Sequence, residues 1–211
     1  MVTDNFPKPV NTRRQPKQAR SQERVRDILG VAEQLFIELG YDQTTTRAIA
    51  ARADIPVGSL YQFFPDKKAI LKAWANHYFE QEYQLFVQLH SELAEAPIEV
   101  YVDRMVGAFD QFATDHPGYR AVLEQLIDLM IAADISTLDN YDSQILKELA
   151  HFLKQRNPSL NIGKCELIAT TIVKVVNELL WLSLTRAQVF REQILAETKT
   201  LVTAYLQTYQ I

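Results

Sequence analysis

Thr45, Arg47, Ser59, Tyr61, Gln62 and Lys67 lie close together within residues 45–67. They offer hydroxyl, guanidinium, amide and ammonium donors, which is the set needed to grip a phosphate backbone while testing base edges beside it. Arg47 and Lys67 suit phosphate, and so do the hydroxyls of Thr45, Ser59 and Tyr61. Gln62 has the reach and the paired donor and acceptor to read adenine at N6 and N7. Val57 is apolar enough to meet a thymine methyl group. Gly58 and Ser59 are small where a helix would come closest to the duplex, and free N–H groups at a helix start favour a phosphate oxygen. Thr46 and Pro56 flank these residues and complete the candidate nucleic-acid contacts. The plain alternative is a set of solvated or packed side chains. Leu60 and Phe64 read as core, and Tyr61 could be a core tyrosine with a wet hydroxyl.

Helices must hold these groups in place. Val25, Ile28, Leu29, Ala32, Leu35, Phe36 and Leu39 recur at three- and four-residue steps, which predicts one amphipathic helix from Ser21 that Gly40 ends. Thr45 or Thr46 caps a second helix whose small face is Ala48, Ile49 and Ala53. Asp54 follows in a turn that calls for left-handed backbone. Pro56 leads into a short third helix from Gly58 to about Phe63, and Pro65 stops it. Asp66 caps a fourth helix over 67–93, with Ile70, Leu71, Trp74, Tyr78, Leu85 and Leu89 facing inward. Helices two and three form a helix-turn-helix that would put the third into a DNA major groove. Further helices are expected at 97–114, 118–133, 139–156, 162–186 and 188–208. Residues 1–20 contain Pro7, Pro9 and Pro16 among Lys8, Arg13, Arg14, Lys17 and Arg20, which reads as a flexible basic arm.

Residues 21–71 resemble the DNA-binding domain of the TetR repressor family. The resemblance rests on Gly40-Tyr41, on Thr45 with Ile49-Ala50, on Gly58-Ser59-Leu60-Tyr61 with Phe64, and on Lys67. Three positions depart from the family pattern. Asp54 stands where a turn glycine is usual, Pro56 where a capping serine is usual, and Lys68 where an acidic residue is common. The resemblance implies an all-α fold of about nine helices, in which a long fourth helix joins the helix-turn-helix domain to a C-terminal domain for ligand binding and dimerisation. The implied divisions are an arm over 1–20, a DNA-binding domain over 21–66 and a C-terminal domain over 67–211. The implied activity is transcriptional regulation, most simply by a homodimeric repressor on a near-palindromic operator of double-stranded DNA. Half-sites would lie roughly 34 Å apart in the simplest dimer geometry. A small, largely apolar effector would release the operator.

Charge is distributed as such a protein would need. Residues 1–72 carry 12 Lys/Arg against 8 Asp/Glu, and residues 73–211 carry 10 against 18, so a front of +4 precedes a body of −8. With 47% hydrophobic residues the chain can bury a substantial core. Cys165 is the only cysteine, which excludes an intramolecular disulfide and a multi-thiolate zinc site and points to a reducing cytoplasm. No uninterrupted apolar run reaches the ~18 residues of a membrane span, so no membrane partner is expected. The N-terminus lacks the apolar stretch of a signal peptide.

The acidic half holds no nucleotide-binding, metalloprotease or serine-hydrolase motif, so no enzyme, cofactor or metal is expected. His77 and Glu80 are spaced i, i+3, but one pair makes no metal site. Aromatic residues gather here. Most read as core, and Trp74, Tyr78, Phe109 and Trp181, with Gln125 and Asn177, are candidates to line a ligand pocket. The helices near 162–186 and 188–208 carry much apolar surface, the former on more than one face, which suits either a four-helix bundle between two subunits, as the resemblance implies, or simple closure of one chain's core. Two other readings compete with the regulator: a helical ligand-binding sensor without operator recognition, and an all-α enzyme using one histidine.

Overall fold

The computed structural model describes residues 19–119, 121, 125 and 139–211, and all regular structure among them is helical. The helices are α1 (Ala19–Leu39), α2 (Thr46–Arg52), α3 (Val57–Phe63), α4 (Lys67–Leu93), α5 (Ile98–Asp115), α6 (Asp139–Arg156), α7 (Ile162–Leu184) and α8 (Gln188–Gln207). These bounds follow the periodicity closely. The helix expected at 118–133 lies, apart from residues 118, 119, 121 and 125, outside the described residues, as do residues 1–18 of the arm expected over 1–20, whose last two residues, Ala19 and Arg20, instead begin α1.

Packing divides the chain into two units. One comprises residues 1–81 and 116–134, the other 82–115 and 135–211. The division therefore falls within α4, because the first half of that helix is buried with α1. Trp74 Nε1 donates to the Leu29 carbonyl, and the Tyr78 hydroxyl donates to the Glu33 carboxylate.

In the first unit, α1 buries Val25, Ile28, Leu29, Ala32, Leu35 and Phe36, and Ile49, Leu60, Phe64, Ile70 and Leu71 join this core. Each fully buried aliphatic or aromatic side chain contributes about 1.5–3 kcal/mol relative to exposure. Leu39 departs from the expected stripe and is 48% exposed. It is the last residue of α1, and the chain reverses at Gly40 (φ 78) instead of covering it.

In the second unit, α6 packs on α7, α7 on α8, and α5 on α8. The core draws on Phe86 and Leu89 of α4, Tyr101 and Met105 of α5, Phe152 and Leu153 of α6, Cys165 and Ile168 of α7, and Val202 and Leu206 of α8. Cys165 is fully buried and packs as an apolar residue within this core. Asn161 caps α7 by accepting from Lys164 N at 2.8 Å. Arg156 donates to the Ala94 carbonyl at 2.6 Å and also to that of Ala96, satisfying orphan acceptors beyond α4. Asp110 and Arg191 pair at 2.6 Å between α5 and α8. By length and composition α7 is apolar enough to cross a membrane (mean hydropathy 1.6), although Lys174 and Glu178 interrupt its apolar stretch. Only 22% of that stretch is buried within the chain.

Candidate nucleic-acid interface

The interface begins at the end of α1. The Gly40 N–H donates to the Phe36 carbonyl at 3.0 Å and closes the helix. Thr44, almost fully buried, sets its Oγ1 2.8 Å from the Gly40 carbonyl and 3.1 Å from the Leu35 carbonyl, so one hydroxyl serves the frayed end of α1. Sequence reasoning missed Thr44. The available signal was a hydroxyl a few residues past a helix-ending glycine. Thr45 then caps α2, its side chain accepting from Ala48 N at 3.1 Å.

The turn between α2 and α3 is a Schellman closure. Ile55 N donates to the Ala50 carbonyl at 3.0 Å and Asp54 N to that of Ala51 at 3.3 Å. Asp54 takes the left-handed conformation at φ 51, as its place in the turn required. Pro56 begins α3 with no side-chain cap, and its carbonyl accepts from Ser59 N at 2.8 Å. Arg52 of α2 pairs with Glu38 of α1 at 2.6 Å. Both side chains are nearly half exposed, so the pair is worth about 0.5 kcal/mol.

A seven-residue helix held this way has one free face. Leu60 is buried, while Val57, Gly58, Tyr61 and Gln62 are exposed along the opposite face at i, i+1, i+4 and i+5. A Cβ at Gly58 would meet nothing within 4 Å, so the helix surface there is open to a close approach. Ser59 is half-buried on the flank. On α2, Arg47 is exposed and Thr46 half-buried, and the Thr46 Oγ1 lies 2.9 Å from the Tyr61 hydroxyl oxygen. This bond links the two helices of the motif.

Lys67 differs from a freely solvated lysine. Its ammonium donates to the Tyr41 carbonyl at 2.5 Å and the Asp42 carbonyl at 3.3 Å, and lies 4.0 Å from the centre of the Tyr41 ring. Burial lowers its pKa, against an opposing pull from Asp42. Lys67 therefore braces the loop between α1 and α2 while remaining only half-buried. Asp66 caps α4, accepting from Ala69 N at 2.7 Å.

The candidate pocket residues do not fall in one unit. Trp74, Tyr78 and Gln125 belong to the first, and Phe109, Asn177 and Trp181 to the second. Trp74 and Tyr78 are buried and stacked at 5.5 Å, with their polar atoms directed at α1. Gln125, Phe109 and Trp181 are half-buried, and Asn177 is exposed on α7. His77 is buried, with Nε2 2.9 Å from Gln81 Nε2. Burial first and His116 second hold its pKa below the usual histidine value. Among the described residues no group of three His, Cys, Asp or Glu side chains could hold a metal ion.

Comparison with known proteins matches residues 28–74 to a family model described as bacterial regulatory proteins, tetR family. Residues 97–206 match a model described as the tetracyclin repressor-like C-terminal domain. Two curated relatives align with part of the chain. One is the HTH-type transcriptional regulator YuxN of Bacillus subtilis (strain 168), 28% identical over 80 residues, covering 38% of this chain and 27% of YuxN. The other is the HTH-type transcriptional repressor BepR of Brucella suis biovar 1 (strain 1330), 31% identical over 88 residues, covering 42% of each protein. The matched stretch thus spans less than half the length of either relative. A TetR-family transcriptional regulator from Streptomyces coelicolor shares the fold with a TM-score of 0.63 at 23% identity, over 88% of this chain and 98% of that one.

Proposed function

This chain belongs to the tetR family of bacterial regulatory proteins, and on that premise we propose that it is a transcriptional repressor acting as a homodimer on a near-palindromic operator in the cytoplasm. The observation that carries the reading is the exposed face of α3, where Val57, Gly58, Tyr61 and Gln62 stand clear of the core, with Arg47 of α2 and its capping residue Thr45 exposed as well. Val57, Ser59 and Gln62 read bases. Thr45, Thr46, Arg47, Pro56, Gly58, Tyr61 and Lys67 position the motif on the backbone. Residues 1–20 serve as a basic arm, 21–66 as the reading head and 67–211 as the body that dimerises and takes the effector.

Apolar surface left outside the second unit supports dimerisation. Leu167 of α7 is 64% exposed and Val189 of α8 is 68% exposed, with Ile162, Phe190 and Leu201 also exposed on the same two helices. A second subunit would cover these faces as a four-helix bundle. Release by a small, largely apolar molecule rests on the match of residues 97–206 to the family's C-terminal domain, together with the aromatic residues of that half. Phe109, Asn177 and Trp181, which share the second unit, are the proposed contacts.

The test is a gel shift with duplex DNA from around the chain's own gene, followed by selection from random duplexes. A retarded species that weakens steeply with salt, and a selected site with two related half-sites, are the expected results. No retarded species at low salt would leave the sensor without operator recognition as the better account.

A further inference from the structure

We propose that Thr46 is a positioning residue that acts on DNA through Tyr61, so that the two hydroxyls work as one phosphate donor. The proposal rests on the DNA-binding reading above and deepens it. Thr46 is the first residue of α2, and Tyr61 lies on the exposed face of α3, fifteen residues further along the chain. Their hydroxyl oxygens are 2.9 Å apart, within hydrogen-bond range. Tyr61 is 39% exposed, which leaves it accessible on the free face of α3.

The donor inventory gives the pair its chemistry. Each hydroxyl has one proton and two lone pairs. With Thr46 donating to the Tyr61 oxygen, the Tyr61 proton remains available to an outside acceptor. A phosphate oxygen accepts and cannot donate, so it matches that remaining proton. An O–H donor that itself accepts a hydrogen bond is polarised and donates more strongly.

Thr46 suits the holding role because its β-branched side chain is stiff at χ1. An exposed tyrosine alone would lose rotamer freedom on binding DNA. A tyrosine already held by Thr46 has lost part of that freedom when the protein folds. Thr46 therefore contributes by fixing where the phenol oxygen stands, and also fixes α3 against α2.

The experiment uses the full-length protein and the tightest duplex that the wild type selects from a random library. Thr46→Val, Tyr61→Phe and the double variant are compared, with Thr46→Ser as the conservative rescue. Thermal unfolding of each variant is followed in parallel. Thr46→Val should weaken binding by about two- to tenfold, the range of one net hydrogen bond. The double variant should bind no more weakly than the weaker single variant, since the two hydroxyls form one unit. Thr46→Ser should recover most of the loss. The salt dependence should keep its slope in Thr46→Val, because a neutral hydroxyl releases no counterion.

Losses that add in the double variant would overturn the proposal, since the two hydroxyls would then act separately. Wild-type affinity in Thr46→Val beside a loss in Tyr61→Phe would overturn it too, because Tyr61 would then act alone. If the wild type itself selects no duplex, the DNA-binding reading fails and this inference fails with it. That result is visible before any variant is made.

Discussion

The Tyr78 hydroxyl donates to the Glu33 carboxylate, and Gly118 lies directly against this pair. A Cβ on Gly118 would collide with Glu33 Oε1 and stand 2.5 Å from the Tyr78 hydroxyl oxygen. The rings of His116 and Tyr119 pack edge-on against Tyr78 at 5.9 and 5.4 Å. Three segments distant in sequence therefore meet at one buried phenol, whose pKa is raised by burial first and by Glu33 second. Gly118→Ala should displace this pair and destabilise the protein by about 1–3 kcal/mol, as overpacking does. Denaturant unfolding checks this. The same change in a Tyr78→Phe background should cost less, because the phenol oxygen in the way is gone.

Asp54 turns the chain between α2 and α3 in the left-handed region. Asp54→Ala should cost about 1 kcal/mol, since alanine lacks the short polar side chain that makes this conformation tolerable. Asp54→Gly should fold at least as well as Asp54→Ala and keep DNA binding. A thermal melt of Asp54→Ala equal to the wild type would show that the turn carries no such strain.

Lys67 and Gln62 should separate positioning from reading. Lys67→Ala should weaken binding to all duplexes alike and lower the salt slope by about one, if its ammonium also neutralises a phosphate. It should also loosen the loop that the lysine braces through the Tyr41 carbonyl. An unchanged slope with lower stability would mean that bracing is its entire role. Gln62→Ala should cost about 1–3 kcal/mol at one base pair of the selected site and leave the others unchanged.

His90 makes part of the stability pH-dependent. It lies 5.2 Å from Phe86 and 5.0 Å from Phe152, ring centre to ring centre, with Nδ1 2.8 Å from the Tyr101 hydroxyl oxygen. Burial holds its pKa below the usual 6.5, against a weaker upward pull from Glu148. As pH falls, the unfolded chain takes up the proton first. The stabilisation is therefore present above pH 6.5 and is lost as pH falls towards and through the depressed folded value. His77 acts with the same sign. Urea midpoints measured from about pH 8 to 5.5 should fall below about pH 6.5. His90→Gln should flatten that fall, and an identical slope in the variant would contradict the assignment.

The proposed dimer predicts a further effect. Leu167→Glu together with Leu201→Glu puts charge on the outer faces of α7 and α8. It should raise the dimer dissociation constant by about tenfold or more, equivalent to 1.4 kcal/mol or more. Light scattering across a concentration series reads this directly. Binding to the palindrome should weaken in parallel, while helical content stays unchanged.

The amino-acid sequence by itself determined the helices and the family. Apolar residues at three- and four-residue steps, with Gly40, Asp54, Pro56, Pro65 and Asp66 as punctuation, mark local boundaries that need no distant partner. The same local signals placed α3 and identified which residue types it exposes. Tertiary structure alone decided which polar groups are already engaged. Lys67 rests on the Tyr41 carbonyl, Thr46 meets Tyr61, and Trp74 and Tyr78 turn their polar atoms to α1. These contacts join residues 15 to 45 positions apart in sequence. Periodicity reports which face of a helix is apolar, but it carries no information about which other helix that face will meet. For that reason the exposed face of α3 was legible in the sequence, while the groups that hold that helix in place became visible only once the helices had packed.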